Sequence, residues 1–262
     1  MSSDKYIYYM ETCFITFGAA PIHPERARCR GKSDYYGAVD RITKQAKHTG
    51  LFTKIKGWTD GDLRNDDAFW SQHKDFITGR GNAYGFGYFI WKPYIIKQTL
   101  STLSSGDILL YLDAGCEIHP AKTSMLESFF KQVPESLIIG SEATMEYMRS
   151  PVDLMKKLDV YDPRFYKTRQ RQAGTNMFYV CDRVINLVSE WYDLCCDYET
   201  LVGASDTFTY SNIDGFKGNR HDQSIFSLLT KKHGFDSWSR GLNIGTAVEI
   251  IWNRTGVSKL NI

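Results

Sequence analysis

A net excess of either charge is nearly missing from this chain. Its 32 basic and 30 acidic residues leave a formal charge of only +2, which argues against a protein wrapped on nucleic acid or held electrostatically to a membrane. Long apolar runs are missing too. Nothing approaches the roughly 18 residues of a membrane span, and no basic segment leads into an apolar one at the start, so the expectation is a soluble chain. The cysteines at 13, 29, 116, 181, 195 and 196 form no C-x-x-C pair and are too sparse for a secreted disulfide scaffold. They read as reduced thiols of a cytoplasmic protein and give no zinc site. Asn253-Arg254-Thr255 matches a glycosylation acceptor, an incidental match without secretion. The chain also lacks a G-x-G-x-x-G fingerprint between strand and helix, a G-x-x-x-x-G-K-S/T loop, G-x-S-x-G and H-E-x-x-H. Support for dinucleotide-binding, P-loop, serine-hydrolase and zinc-protease readings goes with them. No repeat or low-complexity linker divides the sequence, and residues 1–262 read as one domain.

What is present is ordinary for a globular protein: 42% hydrophobic and 24% charged residues, enough for a core without disulfides or metal. Aromatics are plentiful, with 16 Tyr, 15 Phe and 6 Trp. They serve the core and can also offer faces to bases or sugars. In order, the pattern predicts strands at Tyr6–Met10 and Cys13–Phe17 and a loop from Pro21 to Ser33. A helix from Tyr35 to His48, stopped by Gly50, and a strand from Leu51 to Trp58 complete a β-α-β unit with a parallel crossover. A short helix around Asp66–Phe76 carries Phe69, Trp70 and His73 on one face, with His73 a packing or surface residue. The aromatic and glycine-rich passage Asn82–Pro93 leads into a helix from Pro93 to Leu103. Further helices are expected at Lys122–Val133, Val152–Leu158, Ile185–Tyr198 and Ile225–Leu229, and strands at Ser136–Gly140 and Ala173–Val180. Strands and helices alternate throughout, which predicts an α/β fold with a mostly parallel central sheet flanked by helices.

Three segments can carry chemistry. Ile108 to Leu112 is an apolar run that reads as a strand buried on both faces, and it delivers Asp113 at its carboxyl end, where open α/β sheets bind ligands. Were the backbone to stay extended, Asp113, Gly115 and Glu117 would share one face, and two carboxylates around a glycine would suit a divalent ion and a diphosphate. A plain Asp-Ala-Gly turn is the bland alternative. In the second segment Lys92 stands at a helix start, where an ammonium and free N–H groups can hold an anion; the alternative is a lysine flanking an aromatic cluster. The third is Asn219-Arg220-His221-Asp222-Gln223. Asp222 can cap the following helix, but four neighbouring polar side chains exceed what one cap requires.

These segments resemble a family. YLDAG at Tyr111–Gly115 after GYFIWKPYII at Gly87–Ile96, then AGTNMFYV at Ala173–Val180 and RHDQSIFSLL at Arg220–Leu229, look in order and spacing like the GT-A fold nucleotide-sugar glycosyltransferases of bacterial and viral polysaccharide gene sets. The likeness spans Ile15 to Lys232. It implies a single GT-A-like, Rossmann-related domain that transfers a hexosyl or pentosyl group from a nucleotide-diphosphate sugar to a glycan or other hydroxyl acceptor, with polysaccharide biosynthesis as its setting. It implies a donor site at Phe17, Gly18, Trp91, Lys92, Asp113, Ala114 and Gly115, and Asp222 as catalytic base if the reaction inverts configuration or as a residue that orients or stabilises the donor sugar if it retains it. It also implies a divalent cation, Mn²⁺ or Mg²⁺, on an Asp-x-Asp-like motif. Asp113 matches the first aspartate of that motif and Gly115 stands where the second would be. Either Glu117 or His221 joins Asp113 as metal ligand, or basic residues neutralise the leaving group. A protein of the same fold that binds nucleotide sugars or glycans without catalysis is the second hypothesis, and a nucleotidyltransferase the third.

Overall fold

The computed structural model describes residues 10–20 and 33–260. The expected strand at Tyr6–Met10, but for its last residue, and most of the expected loop from Pro21 to Ser33 lie outside them. The strands are β1 (Thr12–Gly18), β2 (Lys54–Thr59), β3 (Ile108–Leu112), β4 (Cys116–Glu117), β5 (Ile138–Met145), β6 (Arg169–Tyr179) and β7 (Glu249–Ile250). Five of them form one sheet in the order β2-β1-β3-β6-β5, and β4 pairs with β7 apart from it. β1 is parallel to β2 and to β3, while β6 is antiparallel to both β3 and β5. Four of the five strands therefore point one way and β6 alone is reversed, the mostly parallel α/β sheet that the alternating pattern predicts.

Every residue of β1 and β3 is buried, as expected for apolar runs covered on both faces. Alternation along β3 divides the core: Leu109 and Tyr111 enter one hydrophobic cluster, and Ile108, Leu110 and Leu112 the other. Helices Trp91–Leu100, Asp182–Cys196 and Asp222–Lys232 cover the first face, and Tyr35–Thr49 and Thr123–Ser136 the second. The helix between β1 and β2 has the expected ends. The Asp34 side chain accepts from Gly37 N–H, and Gly50, at φ 66°, closes the helix in the left-handed region. Among the described residues no helix is long and apolar enough to cross a membrane.

Several elements differ in their bounds from the sequence pattern, three of them beside the site or its supporting network. β6 begins at Arg169, four residues ahead of the expected Ala173, and its polar Gln170 and Arg171 are buried in a network around Glu146. Gln170 Nε2 donates to Glu146 Oε1 at 3.2 Å, Arg171 N–H donates to Ser227 Oγ at 2.8 Å, and Lys231 Nζ meets Glu146 Oε2 at 2.5 Å. A buried polar strand end carries no hydrophobic signal. β5 runs from Ile138 to Met145 instead of Ser136 to Gly140, with irregular register against β6 beyond Gly140; Ser136 closes the preceding helix. The helix expected from Pro93 starts at Trp91, which brings Lys92 into its first turn. His73 is the packing residue expected, its ring nitrogens at 2.8 Å from Tyr198 Oη and 2.7 Å from Tyr192 Oη.

Candidate active site

β3 ends at Leu112, and the chain turns at once: Cys116 N–H donates to the Asp113 carbonyl at 2.8 Å. The extended geometry that would align Asp113, Gly115 and Glu117 on one face is thus absent. Asp113 keeps the side of the sheet that Tyr111 occupies two residues earlier, and the Tyr111 hydroxyl donates to Asp113 Oδ1 at 2.5 Å. Across the sheet end Asp113 N–H donates to the Gly174 carbonyl at 2.8 Å. Gly174 is glycine for a steric reason: a Cβ there would collide with the Asp113 carboxylate.

On that same face two helix starts meet. Lys92, in the first turn of Trp91–Leu100, holds its Nζ 3.2 Å from Asp113 Oδ1 and 3.4 Å from Asp222 Oδ2. Asp222 is the first residue of Asp222–Lys232, and His221 precedes it at φ 58° without a capping bond from its side chain. The trio is layered. The side chain of Asp113 is 34% exposed, that of Lys92 5% and that of Asp222 3%. The rings of Phe89, Trp91 and Tyr111 stand 5.2, 5.6 and 5.6 Å from Nζ, so the ammonium is walled by aromatic faces and answered by two carboxylates.

The electrostatics follow from that burial. Desolvation works against the Lys92 ammonium, but the charges of Asp113 and Asp222 outweigh it and its pKa lies above the ordinary lysine value. Burial pushes the Asp222 carboxyl up to about 7, with Lys92 drawing it down and Asp113 adding to the rise. Asp222 Oδ2, although within pairing distance of Nζ, makes no hydrogen bond. The Tyr111 hydroxyl is held well above the usual tyrosine range by burial and then by Asp113.

The other residues of the expected donor and metal site have different surroundings. Phe17 and Trp91 stack on each other with centroids 3.8 Å apart, both buried, and so back the Lys92 wall. Gly18 ends β1 where a Cβ would stand 2.6 Å from the Tyr35 carbonyl oxygen, a close approach of the following helix. Ala114 packs on Ala38 and Val39 and its carbonyl accepts from Arg41 Nη2 at 2.6 Å. Gly115 does line a cleft beside Asp113, together with Cys116, Gln172, Gly174, Thr175, Ile250 and Trp252.

The metal expectation meets a donor set that does not fit it. Glu117 is fully buried, and both of its oxygens are taken. Oε1 accepts from Asn253 Nδ2 at 2.6 Å and Lys259 N–H at 2.9 Å, and Oε2 accepts from Gln45 Nε2 at 2.9 Å and Ser258 Oγ at 2.5 Å. These bonds hold its pKa below the ordinary value against the opposing effect of burial. His221 turns its Nδ1–H to the Leu201 carbonyl at 3.1 Å and its ring edge to Tyr88, centroids 4.6 Å apart. Among the described residues no three His, Cys, Asp or Glu side chains are grouped to hold a metal ion. Asp113 and Asp222 converge instead on an ammonium.

Sequence reasoning missed Gly174 and Tyr111. The period of two from Asp113 back to Tyr111 was a usable signal, and the glycine of Ala-Gly-Thr-Asn a weaker one.

No protein-family model matches the chain, and no curated protein sequence matches it. Among solved structures it is similar to mouse xyloside xylosyltransferase 1 in its apo form, at 12% identity and a TM-score of 0.40, over 86% of this chain and 83% of that one. A likeness at that level leaves function to the geometry.

Proposed function

We propose that this protein is a glycosyltransferase that moves a sugar from a nucleotide-diphosphate donor to a hydroxyl acceptor, and that it works in the cytoplasm. The observation that carries this reading is the Lys92-centred pair of carboxylates at the carboxyl end of β3. One carboxylate is open to a ligand, and the pKa of the other is placed for proton transfer at neutral pH. The resemblance of the surrounding motifs to nucleotide-sugar transferases supports it.

In this reading Asp113 faces the donor and Lys92 supplies the positive charge beside it. The acceptor oxygen forms a bond to the anomeric carbon, the bond from that carbon to the diphosphate oxygen breaks, and its electron pair leaves with the nucleoside diphosphate. The hydroxyl proton passes to Asp222, whose pKa of about 7 suits a base at neutral pH. Asp222 is buried, so the acceptor has to enter beside Lys92, past Phe89. That residue belongs to a left-handed turn in which Gly85, Phe86, Gly87, Tyr88 and Phe89 all have φ between 50° and 81°. Such backbone costs about 1–2 kcal/mol for each non-glycine residue, and strain of this kind gathers at sites that move or bind. No step is assigned to a metal.

The burial of Asp222 is also what favours a second reading, a binding protein of the same fold without turnover. The two separate in one assay: release of nucleoside diphosphate from a panel of UDP-, GDP- and TDP-linked hexoses and pentoses, run with Mn²⁺ and with a chelator. Transfer requires release from at least one donor that increases with an acceptor glycan. A protein that melts at higher temperature with a donor but releases nucleoside diphosphate from none of the panel is the binder.

A further inference from the structure

The proposed reaction releases an anion that the trio does not neutralise. Lys92 is already answered by Asp113 and Asp222, and the residues around Asp113 do not fit a metal. Positive charge for a diphosphate has to come from elsewhere on the chain.

Arg149 and Arg220 carry such charge without a partner of their own. Arg149 follows the short turn Glu146–Met148 after β5, and Arg220 stands two residues ahead of Asp222. The backbone fixes them side by side. The Arg149 carbonyl accepts from Arg220 N–H at 3.2 Å and from Ser224 Oγ at 2.8 Å, and the Met148 carbonyl accepts from Lys217 N–H at 2.9 Å. Arg149 Nη1 donates to the Lys217 carbonyl at 3.3 Å, whereas its buried Nε has no hydrogen-bond partner. Arg220 is exposed. Among the described residues neither guanidinium is in an ion pair. Burial and then the charge of Arg220 hold the Arg149 guanidinium below the ordinary arginine value, and only Tyr84 acts the other way. Two like charges are thus kept together, one with a desolvated N–H. An oxyanion relieves both costs, because a guanidinium presents its donors in a fork that matches phosphate oxygens.

The pair borders the trio. The Tyr84 ring stands 5.4 Å from those of His221 and Phe89, and Phe89 stands 5.2 Å from Lys92 Nζ. The arginines therefore flank the aromatic wall at the Phe89 entry. His221, at φ 58°, separates the exposed Arg220 from Asp222, which is 2% exposed, so one turn of chain serves solvent and site together.

We infer that Arg149 and Arg220 clamp the donor's diphosphate and hold its charge as the nucleoside diphosphate leaves, a part for which the residues around Asp113 offer no metal site. The electron pair of the breaking bond goes to a diphosphate oxygen that the guanidiniums hold by hydrogen bonds; the arginines keep their protons throughout. The choice of ligand rests on the proposed transferase reading, and binding tests the clamp separately. Calorimetric titration with a chelator present compares wild type, Arg149→Gln, Arg220→Gln, Arg220→Lys and, as a distant control, Lys131→Gln, an exposed position on the helix Thr123–Ser136. The probes are UDP, GDP and TDP, their nucleosides, inorganic pyrophosphate and a hexose phosphate. Wild type and Lys131→Gln are expected to bind at least one nucleoside diphosphate alike. Both glutamine variants are expected to lose about tenfold or more for that nucleotide and for pyrophosphate, Arg220→Lys to lose less, and the nucleoside to bind all five proteins equally. The exposed Arg220 keeps the test decisive should Arg149→Gln unfold. Unchanged nucleotide affinity in Arg220→Gln overturns the inference, as does a wild type that binds nucleoside diphosphate only when Mn²⁺ replaces the chelator, or not at all. A loss confined to the hexose phosphate places the anion on the acceptor and overturns the assignment to the donor. The expected binding losses without turnover of any donor would remove the transferase reading and leave the clamp standing; donor turnover that both glutamine variants retain would do the reverse.

Discussion

Lys92 holds together two carboxylates that would otherwise repel each other in a poorly solvated place. Removing one partner of a buried ion pair leaves an uncompensated charge and costs about 3–5 kcal/mol. Lys92→Met is therefore expected to lower unfolding free energy by about 3 kcal/mol or more, measured by denaturant titration; a loss under about 1 kcal/mol, the ceiling for an exposed pair, would show that the trio is solvated. Asp222 gives a pH signature. In the folded chain it keeps its proton up to about pH 7, whereas an unfolded aspartate releases it near 3.9. Between those values the folded state binds the extra proton, so this group's contribution to stability falls as pH rises. Asp222→Asn removes that dependence, and its melting temperature relative to wild type is expected to climb from about pH 5 to about pH 8. A flat difference would mean that Asp222 titrates like an ordinary surface carboxylate.

Single elements explain why parts of the site were legible in the sequence and parts were not. Asp113 could be found because β3 is an uninterrupted apolar run ending in a carboxylate, and Lys92 and Asp222 because each stands at a helix start among residues with no packing reason to be polar. Glu117 misled because its partners lie 136 and 142 positions away at Asn253 and Lys259, and no local pattern reports a contact of that span. His221 misled because polar type at a helix start does not reveal direction; its positive φ turns the ring to Leu201 and Tyr88. β6 hid its start because Gln170 and Arg171 are buried in a polar network. Its Gly174 makes the sharpest test at this scale. Gly174→Ala forces the new Cβ against the Asp113 carboxylate without asking for left-handed backbone, so it should fold and still lose donor turnover by about 100-fold, the effect of misplacing a reacting group by about 1 Å. Wild-type turnover in this variant would show that the position of Asp113 is not critical.

For the whole molecule, sheet direction decides where chemistry can sit. β1 and β3 deliver their carboxyl ends to one edge, the reversed β6 brings its Gln170–Thr175 half to the same edge, and helices from one face contribute Lys92 and Asp222. Alternating strands and helices made the layered sheet predictable from sequence, while the meeting of two helix starts at Asp113 depends on packing between distant segments. The claim on which everything else depends is that Asp113 is the ligand-facing member of a catalytic trio. It is tested most directly by nucleoside diphosphate release from the best donor of the panel, compared between wild type and Asp113→Ala at matched melting temperature. The expected result is a loss of about 100- to 1,000-fold, the scale on which a single preorganised electrostatic group acts. Turnover within a few-fold of wild type would contradict the account.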